Sequence, residues 1–187
     1  MKTELQTQLC FRTIMRAMAN PGSIHRLDVG METAALRLVA ETLFDQDVTF
    51  CVIGDRRTRE LEDRLYERTK SAVAELPLAD FIVVTGGADR GQLLAAKKGT
   101  PEYPDRGATV IFSVDTLADG GENDFFVRLS GPGIPGQKHL RMQGLDHDEL
   151  IQLQELNREY PLGVDSIFVD TKDCITCIPR SVKIQLR

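Results

Sequence analysis

The chain has 187 residues, enough for one substantial core and too few for two ordinary domains. Its 42% hydrophobic and 27% charged content belongs to a globular protein, and a net charge of -5 disfavours the cationic face that phosphate-backbone binding requires. No apolar run reaches membrane-span length and the opening MKTELQTQLC lacks an apolar leader segment, so the expectation is a cytoplasmic protein with no nucleic-acid or membrane partner and with its four cysteines as thiols.

Residues 4–19 read as a helix, with Leu5, Leu9, Ile14, Met15 and Met18 at roughly helical spacing and a capping box from Thr3 to Gln6. Asn20-Pro21-Gly22 stops it, because proline cannot continue a helix and glycine accepts the turn. Arg12 and Arg16 stand one turn apart on the outer face. That pair reads either as a solvated face or as a basic docking face for an anion or another subunit. Ser23 to Val29 is extended. A helix spans about Glu32 to Phe44, with Leu36, Val39, Ala40 and Leu43 on one side.

Val48 to Ile53 is a nearly continuous apolar run, the pattern of a strand buried on both faces. Arg56 to Arg68 is a charged helix with Leu61 and Leu65 inward. Leu78 to Val84 is a second buried strand, followed by a glycine turn and a short helix over about Arg90 to Lys97. Residues 98–107 form a loop by composition. Strands are expected at Ala108 to Val114 and Phe125 to Leu129, a helix at His147 to Glu159, and strands at Ser166 to Asp170, Cys174 to Ile178 and Val182 to Leu186. Helix and strand alternate early and strands cluster late. The pattern predicts a single three-layer α/β/α domain over 1–187, on a mixed sheet with an antiparallel terminal portion.

The glycine turn Thr85 to Gly91 follows a buried strand, where α/β proteins bind anions, but it has neither G-x-G-x-x-G nor P-loop spacing and reads as a tight turn. Ser130 to Gly136 holds three glycines and two prolines. It reads as a rigid corner or subunit contact rather than a phosphate loop. His25, His139 and His147 show no metal-ligand spacing. Lys172 sits in a hairpin turn without the burial that would activate a Schiff-base lysine.

Cys174 and Cys177 make a C-x-x-C inside a β-branched strand. Residues three apart on a strand point to opposite faces, so the pair cannot chelate or close a disulfide there. A metal or redox protein built on that pair is the alternative the spacing leaves open.

Six stretches, taken together, resemble one family. They are Phe11-Arg12-x-x-Met15-x-Ala17-Met18-x-x-Pro21-Gly22, Gly99-Thr100, Gly107-Ala108-Thr109, Leu129-Ser130-Gly131-Pro132-Gly133-Ile134, Pro161-Leu162-Gly163-Val164-Asp165 and Ile178-Pro179-Arg180. In order and spacing, over about residues 8–186, they resemble the PhnH proteins, which are components of the carbon–phosphorus lyase complex. Cys174 and Cys177 lie outside that pattern.

The resemblance implies a fold similar to the large domain of pyridoxal-phosphate-dependent transferases, without that cofactor or its lysine. It also implies an accessory role beside subunits of the G, I and J types, and a homodimer when isolated. The assembly would join an alkylphosphonate to the ribose of a nucleoside triphosphate, releasing the base and leaving ribose 1-phosphonate 5-triphosphate. No catalytic residue, metal or cofactor is expected in the chain. The candidates for an interface or pocket are Arg12, Arg16, Gly131, Pro132, Gly133, Ile134, Pro161, Gly163, Asp165 and Arg180. The rival function is a stand-alone transferase dependent on pyridoxal phosphate or a nucleotide.

Overall fold

The computed structural model describes residues 2–29, 34–54, 58–86, 91–120 and 127–186, with only the backbone of Lys2 and Thr3. Helix α1 is Lys2–Ala19. It buries Cys10, Ile14 and Ala17. Leu5, Leu9 and Met15, expected inside, are exposed. The inward stripe of a 3.6-residue period is centred on Cys10, Ile14 and Ala17, and those three side chains fall off it. The helix starts ahead of Thr3, whose side chain lies outside the described residues, as does any cap it makes to Gln6.

The stop is as the sequence predicts. Asn20 donates its backbone N–H and its side-chain amide to Arg16 O, and Gly22 turns with φ +77°. Two-residue strand β1 (His25–Arg26) follows, then α2 (Ala35–Leu43) and β2 (Thr49–Gly54). The expected start of α2 at Glu32 lies outside the described residues. Helix α3 is Thr58–Thr69, and the expected start at Arg56 is likewise outside them. Short β3 (Ala72–Val73), a 3-10 turn at Leu76–Leu78 and β4 (Phe81–Thr85) come next.

The helix expected at 90–97 is instead a 3-10 turn, Gln92–Ala95. Gly91 enters it with a left-handed φ of +84° and Ala96 leaves it extended, so too few residues remain for an α-helical ladder. A further 3-10 turn at Pro104–Arg106 leads into β5 (Thr109–Val114). Strands β6 (Thr116–Asp119), β7 (Val127–Ser130) and β8 (Lys138–Gln143) precede α4 (His147–Leu156). The expected residues Phe125 and Phe126 of β7 lie outside the described residues. The chain then forms β9 (Asp165–Asp170), β10 (Cys174–Ile178) and β11 (Lys183–Leu186). Helix α4 opens with a capping box from Asp146 to Glu149 and ends at Leu156, three residues before the predicted Glu159, with Asn157 as its C-cap.

A seven-stranded sheet runs β1-β10-β9-β5-β4-β2-β3. Its β9-β5-β4-β2-β3 portion is parallel, and β9-β10-β1 is antiparallel. The mixed sheet with an antiparallel end is therefore present. One face packs against α1, α2 and α3 through Phe50, Val52, Val83, Ile111, Ile167 and Cys177. Phe44 stands between Phe50 and Phe81, with ring centroids 5.2 and 4.9 Å away.

The other face differs from the α/β/α expectation. It carries Ile82, Val110, Phe112 and Phe168, and these pack against α4 together with residues of a separate four-stranded antiparallel sheet, β11-β7-β8-β6. Two of that sheet's strands, β6 and β8, go beyond the strands expected from the sequence. Phe112 and Phe168, neighbours across the β5–β9 pair, stack 4.9 Å apart. Each such buried ring stabilises the fold by about 1.5–3 kcal/mol through its area alone.

Asp170 joins the two sheets. Its Oδ1 accepts the N–H groups of Lys172 and Cys174 in the β9–β10 turn, and its Oδ2 accepts the N–H of Leu117 in β6. A buried carboxylate with three backbone donors is satisfied without a cation.

Candidate functional site

Strand β10 brings Arg180 to a fixed place. Pro179 ends the strand, and the next residue turns back over β9. The Arg180 backbone N–H donates to Asp165 Oδ1 at 2.9 Å. Its Nε donates to both carboxylate oxygens at 3.2 Å, and Nη2 to Oδ2 at 2.7 Å. Nη1 donates to Pro104 O at 2.5 Å, and Nη2 also donates to Gly107 O at 3.4 Å. The side chains of Arg180 and Asp165 are 12% and 27% exposed, so the pair is largely shielded from water. A planar fork with five donors suits this cluster of oxygens, and a lysine could not reproduce it.

Glycines let the backbones close around that fork. A Cβ on Gly107 would lie 2.2 Å from Gly163 O and 2.5 Å from Arg180 Nη1. Gly163 holds φ +140°, and a Cβ there would lie 2.3 Å from Asn157 Oδ1. Its N–H donates to Lys98 O, and the next N–H, Val164, donates to Asn157 Oδ1 at 2.7 Å. The 160–161 peptide, Tyr160–Pro161, is cis, and Pro161 is exposed at the rim. Four stretches far apart in sequence (at 99–109, 157, 161–165 and 178–180) thus meet in one junction.

A second junction lies at the end of α1. Gly133, at φ +79°, passes so close to the helix stop that a Cβ would sit 2.7 Å from Ala19 O and 2.8 Å from the Pro21 ring. Gly131 passes Ser181 O and Val182, and Ile134 N–H closes the turn onto Gly131 O. Gly22, for its part, packs on Leu129 and donates its N–H to Cys177 O. The Gly131-Pro132-Gly133-Ile134 corner therefore braces the helix stop. Gly131, Pro132 and Gly133 remain exposed on their outer side.

Of the predicted residues, the structure brings Asp165, Gly163 and Arg180 together, and separately brings Gly131 to Ile134 onto the stop of α1. Arg12 and Arg16 stand apart from both junctions, exposed on the outer face of α1. Pro104, Gly107 and Asn157 belong to the first junction and are missing from the sequence-predicted set. The signal for Gly107 and its partners was present, since Gly107 lies inside one of the matching stretches. Asn157 offered only its place at a helix end.

The cysteines behave as strand residues. Cys177 is fully buried on the helix side of the sheet, whereas Cys174 is half-buried and points to the other face. Burial, then the nearby charge of Asp165, pushes the Cys177 thiol up. Burial and the Glu62 carboxylate push Cys51 up to about 12, and burial raises Cys10. Cys174 is raised as well, by burial and by Asp170. None is held as a thiolate, the form that attacks or binds metal. Lys172 is exposed in its turn. Of the glycine turn after β4, residues 87–90 lie outside the described residues.

Both junctions are made of backbone approach and a shielded ion pair. They position chain segments, and neither aligns a nucleophile with a base. They define a mixed α/β protein whose distinguishing residues hold a shape. The chain matches the family model described as "Bacterial phosphonate metabolism protein (PhnH)" over residues 1–185 and belongs to that family. It is 34% identical over 182 residues to the "Putative C-P lyase subunit protein HtxG" of Stutzerimonas stutzeri, covering 96% of this chain and 86% of that protein. It is 28% identical over 192 residues to the "Alpha-D-ribose 1-methylphosphonate 5-triphosphate synthase subunit PhnH" of Rhizobium meliloti (strain 1021), covering 96% and 90% respectively.

Proposed function

We propose that this chain is an accessory subunit of a carbon–phosphorus lyase complex in phosphonate catabolism. It supports formation of ribose 1-phosphonate 5-triphosphate from a nucleoside triphosphate and an alkylphosphonate. The observation that carries the reading is where the family's motifs lie. They match over nearly the whole chain, and in space all but the outer face of α1 contribute to the two junctions. The names of both relatives, one a subunit of a lyase and one a subunit of a synthase, point the same way.

In this reading residues 1–187 act as one domain, similar to the large domain of pyridoxal-phosphate-dependent transferases and working without that cofactor. Its partners are subunits of the G, I and J types, and the isolated chain pairs with itself. Arg12, Arg16 and the exposed rims of Gly131 to Ile134 and Pro161 are the candidates for interfaces. Gly163, Asp165 and Arg180 hold the first junction behind the Pro161 rim.

Co-expression with the G, I and J subunits, one of them tagged, tests the reading directly. The chain should co-purify in fixed ratio, and its deletion should abolish growth on methylphosphonate as sole phosphorus source. Normal growth without the chain would overturn the proposal.

A further inference from the structure

We propose that the outer face of α1 is a docking surface for a separate polypeptide that presents carboxylates between apolar side chains. The inference rests on the subunit reading above and names the surface and the chemistry of the partner. Three pairs of side chains, each four residues apart, share this face: Leu5 with Leu9, Phe11 with Met15, and Arg12 with Arg16. Leu5 is 57% exposed, Leu9 40%, Phe11 48% and Met15 54%. Leu5–Leu9 and Phe11–Met15 form two apolar ridges on either side of the arginines, a mixed strip of four large exposed apolar side chains that is uncommon on a surface that meets only water.

The inner face cannot account for them. Cys10, Ile14 and Ala17 already pack α1 against α2 and β10. Turning the helix to bury the outer strip would expose that core.

The arginines fix the sign of the partner. Among the described residues no carboxylate pairs with Arg12 or Arg16, although acidic side chains outnumber basic ones in the chain, 28 to 23. Like charges at i and i+4 weaken a helix, so the pair is held at a cost that local pairing does not offset. Arginine among apolar side chains is the composition of interface centres, where the guanidinium takes a carboxylate in two parallel hydrogen bonds. A second copy of this chain fits poorly. Arg12 lies near the middle of the strip, and pairing about a two-fold axis there brings it against its own counterpart.

The test uses the complex co-expressed with its G, I and J subunits and purified through a tag on one of them. Two double variants alter only exposed side chains: Arg12→Glu with Arg16→Glu, and Phe11→Gln with Met15→Gln. Far-UV circular dichroism and the thermal midpoint check that each folds. Each variant should be retained at least about tenfold less than the original chain. Retention of the original chain should also fall as salt is raised. Amide exchange over residues 5–16 should slow in the complex relative to the free chain.

Retention of both variants at the original ratio, with exchange at α1 unchanged, would overturn the surface assignment and leave the subunit reading standing. If the isolated chain is a dimer that the arginine reversal dissociates, the occupant is a second copy and the partner assignment falls. If the original chain does not co-purify at all, the subunit reading fails first.

Discussion

Arg180 and Asp165 are joined through both main chain and side chain: the N–H that follows Pro179 and the guanidinium grip the same carboxylate. The same arginine also holds the carbonyls of Pro104 and Gly107, so one side chain ties β9, the end of β10 and the loop before β5. Arg180→Ala leaves a shielded carboxylate and two carbonyls without their donor. The expected loss is about 2–4 kcal/mol in urea denaturation. Arg180→Lys should recover less than half of it, since a single ammonium cannot serve all four oxygens. A midpoint within experimental error of the original would sink the clamp.

Gly107 and Gly163 should tolerate no side chain. At each a Cβ would lie well inside van der Waals distance of a backbone or amide oxygen. Gly107→Ala should cost at least about 2 kcal/mol, because β5 or β9 must shift to admit it. Gly136→Ala is the control: nothing lies within 4 Å of its Cβ position, and only the φ of +76° opposes it. Its expected cost is about 1 kcal/mol. Equal losses at the two positions would contradict close approach as the cause.

Asp80 sets part of the acid limit. Burial pushes its carboxyl up, but the Lys97 ammonium and the N–H and O–H of Thr49 together outweigh burial and leave it below the ordinary carboxylate range. A depressed folded pKa favours the folded state above the unfolded value of 3.8. That contribution is lost as pH falls through the folded pKa. Asp80→Asn should therefore lower stability at pH 7 and flatten its decline below pH 4. The measurement is the urea midpoint across pH 3 to 7, and an unchanged slope would exclude the linkage.

The thiols should react in the order of their burial. Cys174 is the first expected to be modified by an aromatic disulfide reagent, and Cys10, Cys51 and Cys177 should follow only on unfolding. Because the folded state raises these thiols, it is favoured at pH values below their unfolded 9.0. As pH rises above 9.0 the unfolded chain ionises first, and stability should decline. Rapid labelling of Cys177 in the native protein would refute the buried placement.

Much of the large sheet was legible because its strands are short apolar runs bounded by turns: β2, β4, β5, β9 and β10 all fall where Val, Ile, Phe and Cys cluster. Strand β8, KHLRMQ, escaped because only Leu140 and Met142 face inward and three basic side chains hide the alternation. Strand β6 is four residues long, of which the last is exposed. The stop of α1 could be read from Asn20-Pro21-Gly22 alone, since it is local chemistry. The outward Leu5, Leu9 and Met15 could not, because spacing does not say which of two apolar stripes faces the core. The Arg180 junction was legible only in part: Gly163, Asp165 and Arg180 stand in the matching stretches, but their meeting with Pro104 and Gly107 is set by tertiary pairing rather than by any local period.

The strand order also governs how the chain assembles. Strand β5 pairs on one side with β4 but on the other with β9, which emerges roughly fifty residues later. Until Asp165–Asp170 leaves the ribosome, the middle of the sheet presents an open parallel edge of Val110, Ile111 and Phe112. Late, non-local closure of this kind is slow and exposed to aggregation. The newborn chain is therefore most vulnerable just before its fifth parallel strand arrives, and chains arrested before residue 165 should be captured by holdase chaperones far more than chains arrested after residue 186, once both have cleared the exit tunnel.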